Sequence, residues 1–311
     1  MQTAELGRTG INISRLCFGT LTFSPLQCEC SPEKAGELLA MAFELGVNFV
    51  DTAQYYRNYQ HVRAGLHGAK KDIVISSKTY AHTKELAVKA VEEARRFLDR
   101  DVIDVFMLHE QEGEHTLRGH APALEYLYDC KAGGIIRAVG ISTHHVAGVN
   151  AARKAGLDVV HPILNPAGLG VADGTALDME RAVALARRAG VGVFAMKALG
   201  GGNLFRQAGE CLSYALGRSD SVAVGIRDEN ELADDVYFFT NNSFPVSRAT
   251  TSRGTRQLWI AEWCSGCGAC VRNCSSGALK VIDGTAVCIH EKCLLCAYCA
   301  GRCPGFCIRI I

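Results

Sequence analysis

The sequence has no long apolar run, no excess of charge of either sign and no leader-like start. No stretch approaches the roughly eighteen apolar residues of a membrane-spanning helix, so no membrane span is expected. With 33 basic against 32 acidic side chains, it offers neither the basic patch of a nucleic-acid binder nor a polybasic handle for lipid. Met1 to Leu6 contain no basic n-region and no apolar h-region, which leads to the expectation of a cytoplasmic protein. No flavin motif is legible either. What is left is a globular chain of 311 residues, 48% hydrophobic, enough for one large barrel or for two domains.

Cysteine is the excess. Ten of the 15 cysteines fall between Cys264 and Cys307. A disulfide framework suits small secreted domains, whereas an unexported chain with an odd count and regular short spacings points to metal. Cys264, Cys267, Cys270 and Cys274 follow C-x2-C-x2-C-x3-C, and Cys293, Cys296, Cys299 and Cys303 repeat it, with Pro304 next. Three thiolates at intervals of three wrap one face of a cube-shaped cluster, while the fourth of each run reaches the other cluster. Cys264, Cys267, Cys270 and Cys303 are thus expected on one [4Fe–4S] cluster, and Cys293, Cys296, Cys299 and Cys274 on a second. Zinc would show pairs of C-x2-C instead. The small residues Ser265, Gly266, Gly268 and Ala269 leave room for backbone N–H groups near cluster sulfides. The segment resembles a bacterial two-cluster ferredoxin, with Ser275 where that family usually has proline. Cys288 and Cys307 lie outside the pattern and are expected to pack as small apolar residues.

The first 240 residues alternate short β-branched runs with longer amphipathic stretches. The runs are Leu16–Gly19, Phe49–Ala53, Ile73–Lys78, Val102–His109, Ile135–Thr143, Val159–Asn165, Val191–Ala198 and Val222–Ile226. Helix starts appear at Ser31-Pro32-Glu33-Lys34 and Thr83-Lys84-Glu85, and helix stops at Gly46, Gly156 and Gly190. Eight strand–helix units in series predict a (β/α)8 TIM barrel over residues 1–240, its bottom closed by a hairpin within Gln2–Arg15. A Thr-, Asn- and Ser-rich linker over 241–256 then leads to a ferredoxin-like α+β domain over 257–311.

Barrels of this kind carry their chemistry at the C-terminal ends of the strands. There the sequence places Asp51, followed by Tyr56, then Lys78, then His109, on three successive strands. A tyrosine of pKa about 10 is a weak acid at neutral pH unless a cation favours its phenolate. Lys78 is placed to supply that cation, Asp51 to hold Lys78, and His109 to orient a substrate oxygen.

With Leu6-Gly7-Arg8-Thr9-Gly10, Asn48 through Ala53, Ser77-Lys78-Thr79, Asp104 through His109, Val139 through Ser142, and Asn165, the region from Leu6 to Val236 resembles the aldo-keto reductases. The resemblance implies a catalytic tetrad of Asp51, Tyr56, Lys78 and His109, with Tyr56 protonating a carbonyl oxygen while a nicotinamide gives hydride to the carbon. It implies that Ser142 and Asn165 hold the carboxamide. Met196 through Gly202, with Lys197 and Gly201, would lie near the pyrophosphate, and Gly225 to Asp235, with Arg227 and Glu231, around the adenosine. That last segment lacks the basic residues with which many members grip a 2′-phosphate, so NADH and NADPH both stay open. Arg57 through His61 is bulkier than the usual loop and is expected to reshape the substrate mouth. His144 and His145 read as a solvated pair, and Cys28-Glu29-Cys30 as incidental loop residues.

Nicotinamide moves electrons in pairs and iron–sulfur clusters singly, which leaves three readings. The first is an NAD(P)H-linked reductase of a small carbonyl substrate, whose cluster module docks a redox partner protein or braces the barrel. The second is a cluster-driven reductase without nicotinamide. The third is a non-catalytic electron carrier. The intact tetrad disfavours the third.

Overall fold

The computed structural model describes residues 1–25, 30–69, 72–245, 257–274, 277–293 and 299–310. Eight parallel strands close into a barrel: β3 (Leu16–Gly19), β4 (Phe49–Asp51), β5 (Val74–Thr79), β6 (Ile103–Leu108), β7 (Ile136–Thr143), β8 (Val159–Pro162), β9 (Gly192–Ala195) and β10 (Ser221–Gly225). Strand β10 pairs with β3 to complete the circle. All eight fall on the β-branched runs, because strands covered on both faces read as continuous apolar stretches. The helix starts are also as expected: Ser31 Oγ accepts from Lys34 N and Thr83 Oγ1 from Leu86 N. Gly46, Gly156 and Gly190 all have positive φ.

Ahead of the barrel, β1 (Thr3–Glu5) and β2 (Asn12–Ser14) form an antiparallel hairpin. It buries Leu6, Ile11 and Ile13 against Phe49, Val74, Val105, Met107 and Phe194, plugging one end of the barrel. Gly7 permits this closure: its φ is +56°, and a Cβ there would stand 2.3 Å from Gly192 N. The plug leaves the opposite rim, where the strands end, as the mouth for chemistry.

The last barrel helix runs over Glu229–Asn241. Residues 246–256, which hold most of the expected linker, lie outside the described residues; beyond them come β11 (Leu258–Ile260), β12 (Leu279–Ile282), β13 (Thr285–Cys288) and β14 (Ile308–Ile310). Strand β11 pairs antiparallel with β14, and β12 with β13. Their shared core is small: Leu258, Cys270, Leu279, Ala286, Cys299, Ala300 and Ile308, with Cys264, Cys274, Cys288, Cys293 and Cys303 packed around it. No described helix is long and apolar enough to cross a membrane.

Candidate active site and cysteine centre

The three strand ends converge as expected. Lys78, at 1% exposure, gives its ammonium protons to both carboxylate oxygens of Asp51 at 2.7 Å and to Thr52 O at 2.8 Å. Its Nζ lies 5.0 Å from the centre of the Tyr56 ring. The His109 ring stands edge-on to Tyr56 at 5.9 Å.

The electrostatics differ from the simple expectation for Tyr56. Burial raises its phenol above the ordinary value, and the opposing pull of Lys78 does not cancel it. Tyr56 therefore stays protonated at neutral pH, as a proton donor must. Burial and the Lys78 charge hold His109 well below the usual imidazole range, so it is neutral. Its Nδ1 is buried with no hydrogen-bond partner among the described residues. Burial works against the charged form of Lys78, but Asp51 outweighs it and keeps the amine a cation.

Two residues of the bulky loop after Tyr56 brace the scaffold. Asn58 is fully buried, accepting from Thr52 Oγ1 at 2.8 Å and donating to Thr20 O at 2.7 Å. Tyr59 Oη shares a hydrogen bond with Ser77 Oγ at 2.7 Å. Together they pin the turn that presents Tyr56.

Several residues of the mouth were not singled out from the sequence. His161, inside β8, stacks on Phe194 at 3.9 Å and places Nε2 3.8 Å from Asp51 Oδ2. Burial lowers it to about 4. Tyr80 stacks on His109 at 4.4 Å and donates to Glu110 Oε2 at 2.8 Å. A polar residue in an otherwise apolar strand was the available signal for His161. His144 is not a solvated residue: its Nε2 accepts from Lys197 Nζ at 2.8 Å, and its ring meets Phe306 edge-on at 5.9 Å. Lys197 lies over the Phe306 ring at 4.3 Å, and burial lowers its amine to about 7. Glu110, Lys197 and Phe306 all hold positive φ without being glycine. Such backbone strain gathers at functional mouths.

Phe306 and β14 come from the C-terminal region, which therefore reaches the barrel rim. Trp263 meets Tyr55 edge-on at 6.4 Å. Gly200, Gly201 and Gly202 form a turn with three positive φ angles. A Cβ on Gly202 would be 1.9 Å from Ile310 O, and one on Gly201 would be 3.0 Å from Arg309 Cγ. The turn expected near a pyrophosphate is thus covered by this chain's own C-terminal strand.

The other residues expected to contact a dinucleotide are engaged as well. Asn165 bonds Leu169 O and Leu169 N through its two amide atoms, each at 2.9 Å. Ser142 Oγ accepts from Glu110 N at 2.9 Å. Arg227 donates to Glu231 Oε1 at 2.8 Å, while Asp228 caps the following helix by accepting from Asn230 N and Glu231 N. Gly225 ends β10 beside Gly19. In this arrangement β14 lies on the turn expected at the pyrophosphate, while Ser142, Asn165 and Arg227 hydrogen-bond within the chain.

The cysteine centre is partly in view. Cys264, Cys267, Cys270 and Cys303, the set expected on one cluster, line one cavity with Gly268, Ala286 and Gly305. Backbone N–H groups point at the sulfurs, from Cys307 to Cys303 Sγ at 3.2 Å and from Ala286 to Cys264 Sγ at 3.5 Å. Among the described residues no three metal-ligating side chains converge as they would on a single ion. The four thiols surround a space instead, and that fits a cluster. Of the second set, Cys274, Cys293 and Cys299 pack around the shared core, and Cys274 Sγ accepts from Ala278 N at 3.2 Å. Cys296 lies outside the described residues, as do Cys28 and Glu29. Cys307, expected only to pack, is buried but lines the same cavity, and its thiol faces Trp263 O at 3.9 Å.

A plugged barrel with a buried Asp–Lys pair, a tyrosine and a histidine at its open rim invites comparison with known proteins. The aldo/keto reductase family model matches residues 15–213, more than half of the chain. The chain belongs to the aldo/keto reductase family. Among curated relatives it is 28% identical over 158 residues to the uncharacterized oxidoreductase YqkF of Bacillus subtilis, covering 46% of this chain and 49% of that protein. It is also 28% identical over 160 residues to L-galactose dehydrogenase of Arabidopsis thaliana, covering 46% and 48%. The match spans about half the length of each of these relatives. Among solved structures, the putative aldo-keto reductase PA4992 of Pseudomonas aeruginosa shares the fold with a TM-score of 0.67 and 24% identity, over 77% of this chain and 95% of that one. Aldo-keto reductase AKR11C1 of Bacillus halodurans, in its holo form, gives 0.64 and 19% over 80% and 93%. The family match ends well before the cysteine-rich region.

Proposed function

We propose that this aldo/keto reductase reduces the carbonyl group of a small molecule, with Tyr56 as proton donor, and carries two [4Fe–4S] clusters in a module over residues 257–311. The observation that carries the first part is the Asp51–Lys78 pair under Tyr56, with neutral His109 beside it. Lys78, kept charged by Asp51, stabilises the phenolate that Tyr56 becomes on giving up its proton. His109, unable to carry charge, donates a neutral hydrogen bond that orients the carbonyl oxygen. The cavity shared by Cys264, Cys267, Cys270 and Cys303 supports the first cluster. The repeated spacing supports the second on Cys293, Cys296, Cys299 and Cys274. Bound clusters supply electrons one at a time.

Reduction of a carbonyl to an alcohol takes two electrons and two protons, and two electron sources compete. Family membership favours NADPH or NADH, and their use requires β14 to leave the Gly200–Gly202 turn. The docked strand favours the clusters, fed by a low-potential redox partner protein. Anaerobic titration of the purified holoprotein with each nucleotide separates the two. Micromolar binding with carbonyl turnover supports the nicotinamide source. Turnover with a low-potential donor and no nucleotide binding establishes the cluster source. In either case Tyr56→Phe lowers kcat by about 10²- to 10⁴-fold, and full activity in that variant would overturn the proton-donor assignment.

A further inference from the structure

The C-terminal strand brings a cation to the barrel mouth without bringing its anion. Alternation along Ile308-Arg309-Ile310 sends Ile308 into the module core and Arg309 to the opposite face. There the Arg309 guanidinium lies 5.1 Å from the ring centres of both Trp259 and Trp263. Arg309 is only 5% exposed. Among the described residues no carboxylate forms an ion pair with Arg309, and the described contacts of its guanidinium are the two tryptophan rings. Lys197 supplies a second amine at the same mouth, resting on Phe306 and donating to His144. The acid whose field reaches Arg309, Lys197 and Tyr56 is Glu110. It is half-exposed and already accepts the Tyr80 hydroxyl proton.

From this arrangement we propose that Arg309, with Lys197, binds a carboxylate on the carbonyl substrate, so that the substrate is an oxo-acid and the C-terminal module completes the active site. The reading rests on the carbonyl reductase assignment above and names its substrate class. A buried guanidinium without a counter-charge is costly, and its planar fork pairs two-pronged with a carboxylate. The two indoles flank the guanidinium and add cation–π attraction to that pairing. The field of Arg309 also reaches Tyr56. An acid held there would bring its neighbouring carbonyl within range of the phenol.

Trp259 and Trp263 are the chain's two tryptophans, so intrinsic fluorescence reads this site directly. The test titrates the intact holoprotein, under anaerobic conditions, with oxamate as a non-reducible oxo-acid mimic. Acetamide serves as the neutral control and inorganic pyrophosphate as the phosphate control. Oxamate is expected to bind saturably and acetamide not to bind. Arg309→Met should weaken oxamate at least 30-fold, Arg309→Lys should weaken it less, and both should retain the wild-type iron content and 400 nm absorption. Tyr56→Phe should weaken oxamate far less than Arg309→Met does. Because binding needs no turnover, loss of the Tyr56 assignment leaves this result readable, and the converse also holds. Unchanged oxamate affinity in Arg309→Met overturns the proposal. So does Arg309-dependent binding of pyrophosphate alone, which assigns the cation to a nucleotide. So does a change confined to iron content or cluster absorption, which assigns it to the cluster.

Discussion

The barrel and the C-terminal module are stabilised in different ways. The barrel buries an apolar floor, Leu6, Ile11, Ile13, Phe49 and Phe194, and a thick layer between strands and helices. Burial of that extent folds a domain without help. Among the described residues the module's core cluster has seven members, two of them cysteines, and its strands are three or four residues long. So small a core needs a staple, and under the proposed reading thiol-bound clusters supply it. The difference teaches that cysteine in the barrel is packing, as at Cys17 and Cys130, whereas in the module the proposal makes it architecture.

The contrast breaks most visibly at Cys270. Cys270→Ala should lose at least four of the roughly eight iron atoms that two [4Fe–4S] clusters hold. It should also open the module to limited proteolysis while the far-UV signal of the barrel persists. Full iron content in the variant would remove the metal half of the comparison. On the barrel side, Lys78→Met leaves the Asp51 carboxylate buried beside Ser76 Oγ with its cation gone. Stranding that charge should cost about 3–5 kcal/mol in urea unfolding and leave iron content untouched. A loss below about 1 kcal/mol would mean that the Asp51 site is wetter than the structure shows.

A smaller effect sharpens the comparison through pH. His161 titrates at about 4 in the folded barrel, below the ordinary 6.5. Between these values the unfolded chain binds the extra proton, so acidification through this window destabilises the fold. His161→Gln should make the loss of stability from pH 6.5 to 4 shallower by up to about 3 kcal/mol, measured by unfolding at each pH. Parallel pH curves for the two proteins would place His161 in a wetter, ordinary environment.

Much of the barrel was legible because its signals are local. The run Ile103–Leu108 reads as a doubly covered strand from its own six residues, and Thr83 caps a helix three residues away. The candidate tetrad was legible for the same reason: Asp51, Lys78 and His109 each follow an apolar run, and the barrel topology makes those ends neighbours. The bracing role of the loop after Tyr56 was missed because Asn58 and Tyr59 find their partners at Thr20 and Ser77, which no local pattern announces. His144 was misread because Lys197, 53 residues on, turns its ring inward.

By itself the sequence determined the eight-strand barrel, the residues at its rim and the doubled cysteine spacing, since each depends on periodicity or spacing within a few residues. Only the tertiary structure decided where the C-terminal strand goes. Ile310 seats on Gly202, Phe306 rests beside Lys197, and Arg309 faces the mouth between two tryptophans. Those contacts join residues from 46 to 109 positions apart. Their formation depends on the shape that the completed barrel rim offers and not on any local preference of the residues that make them.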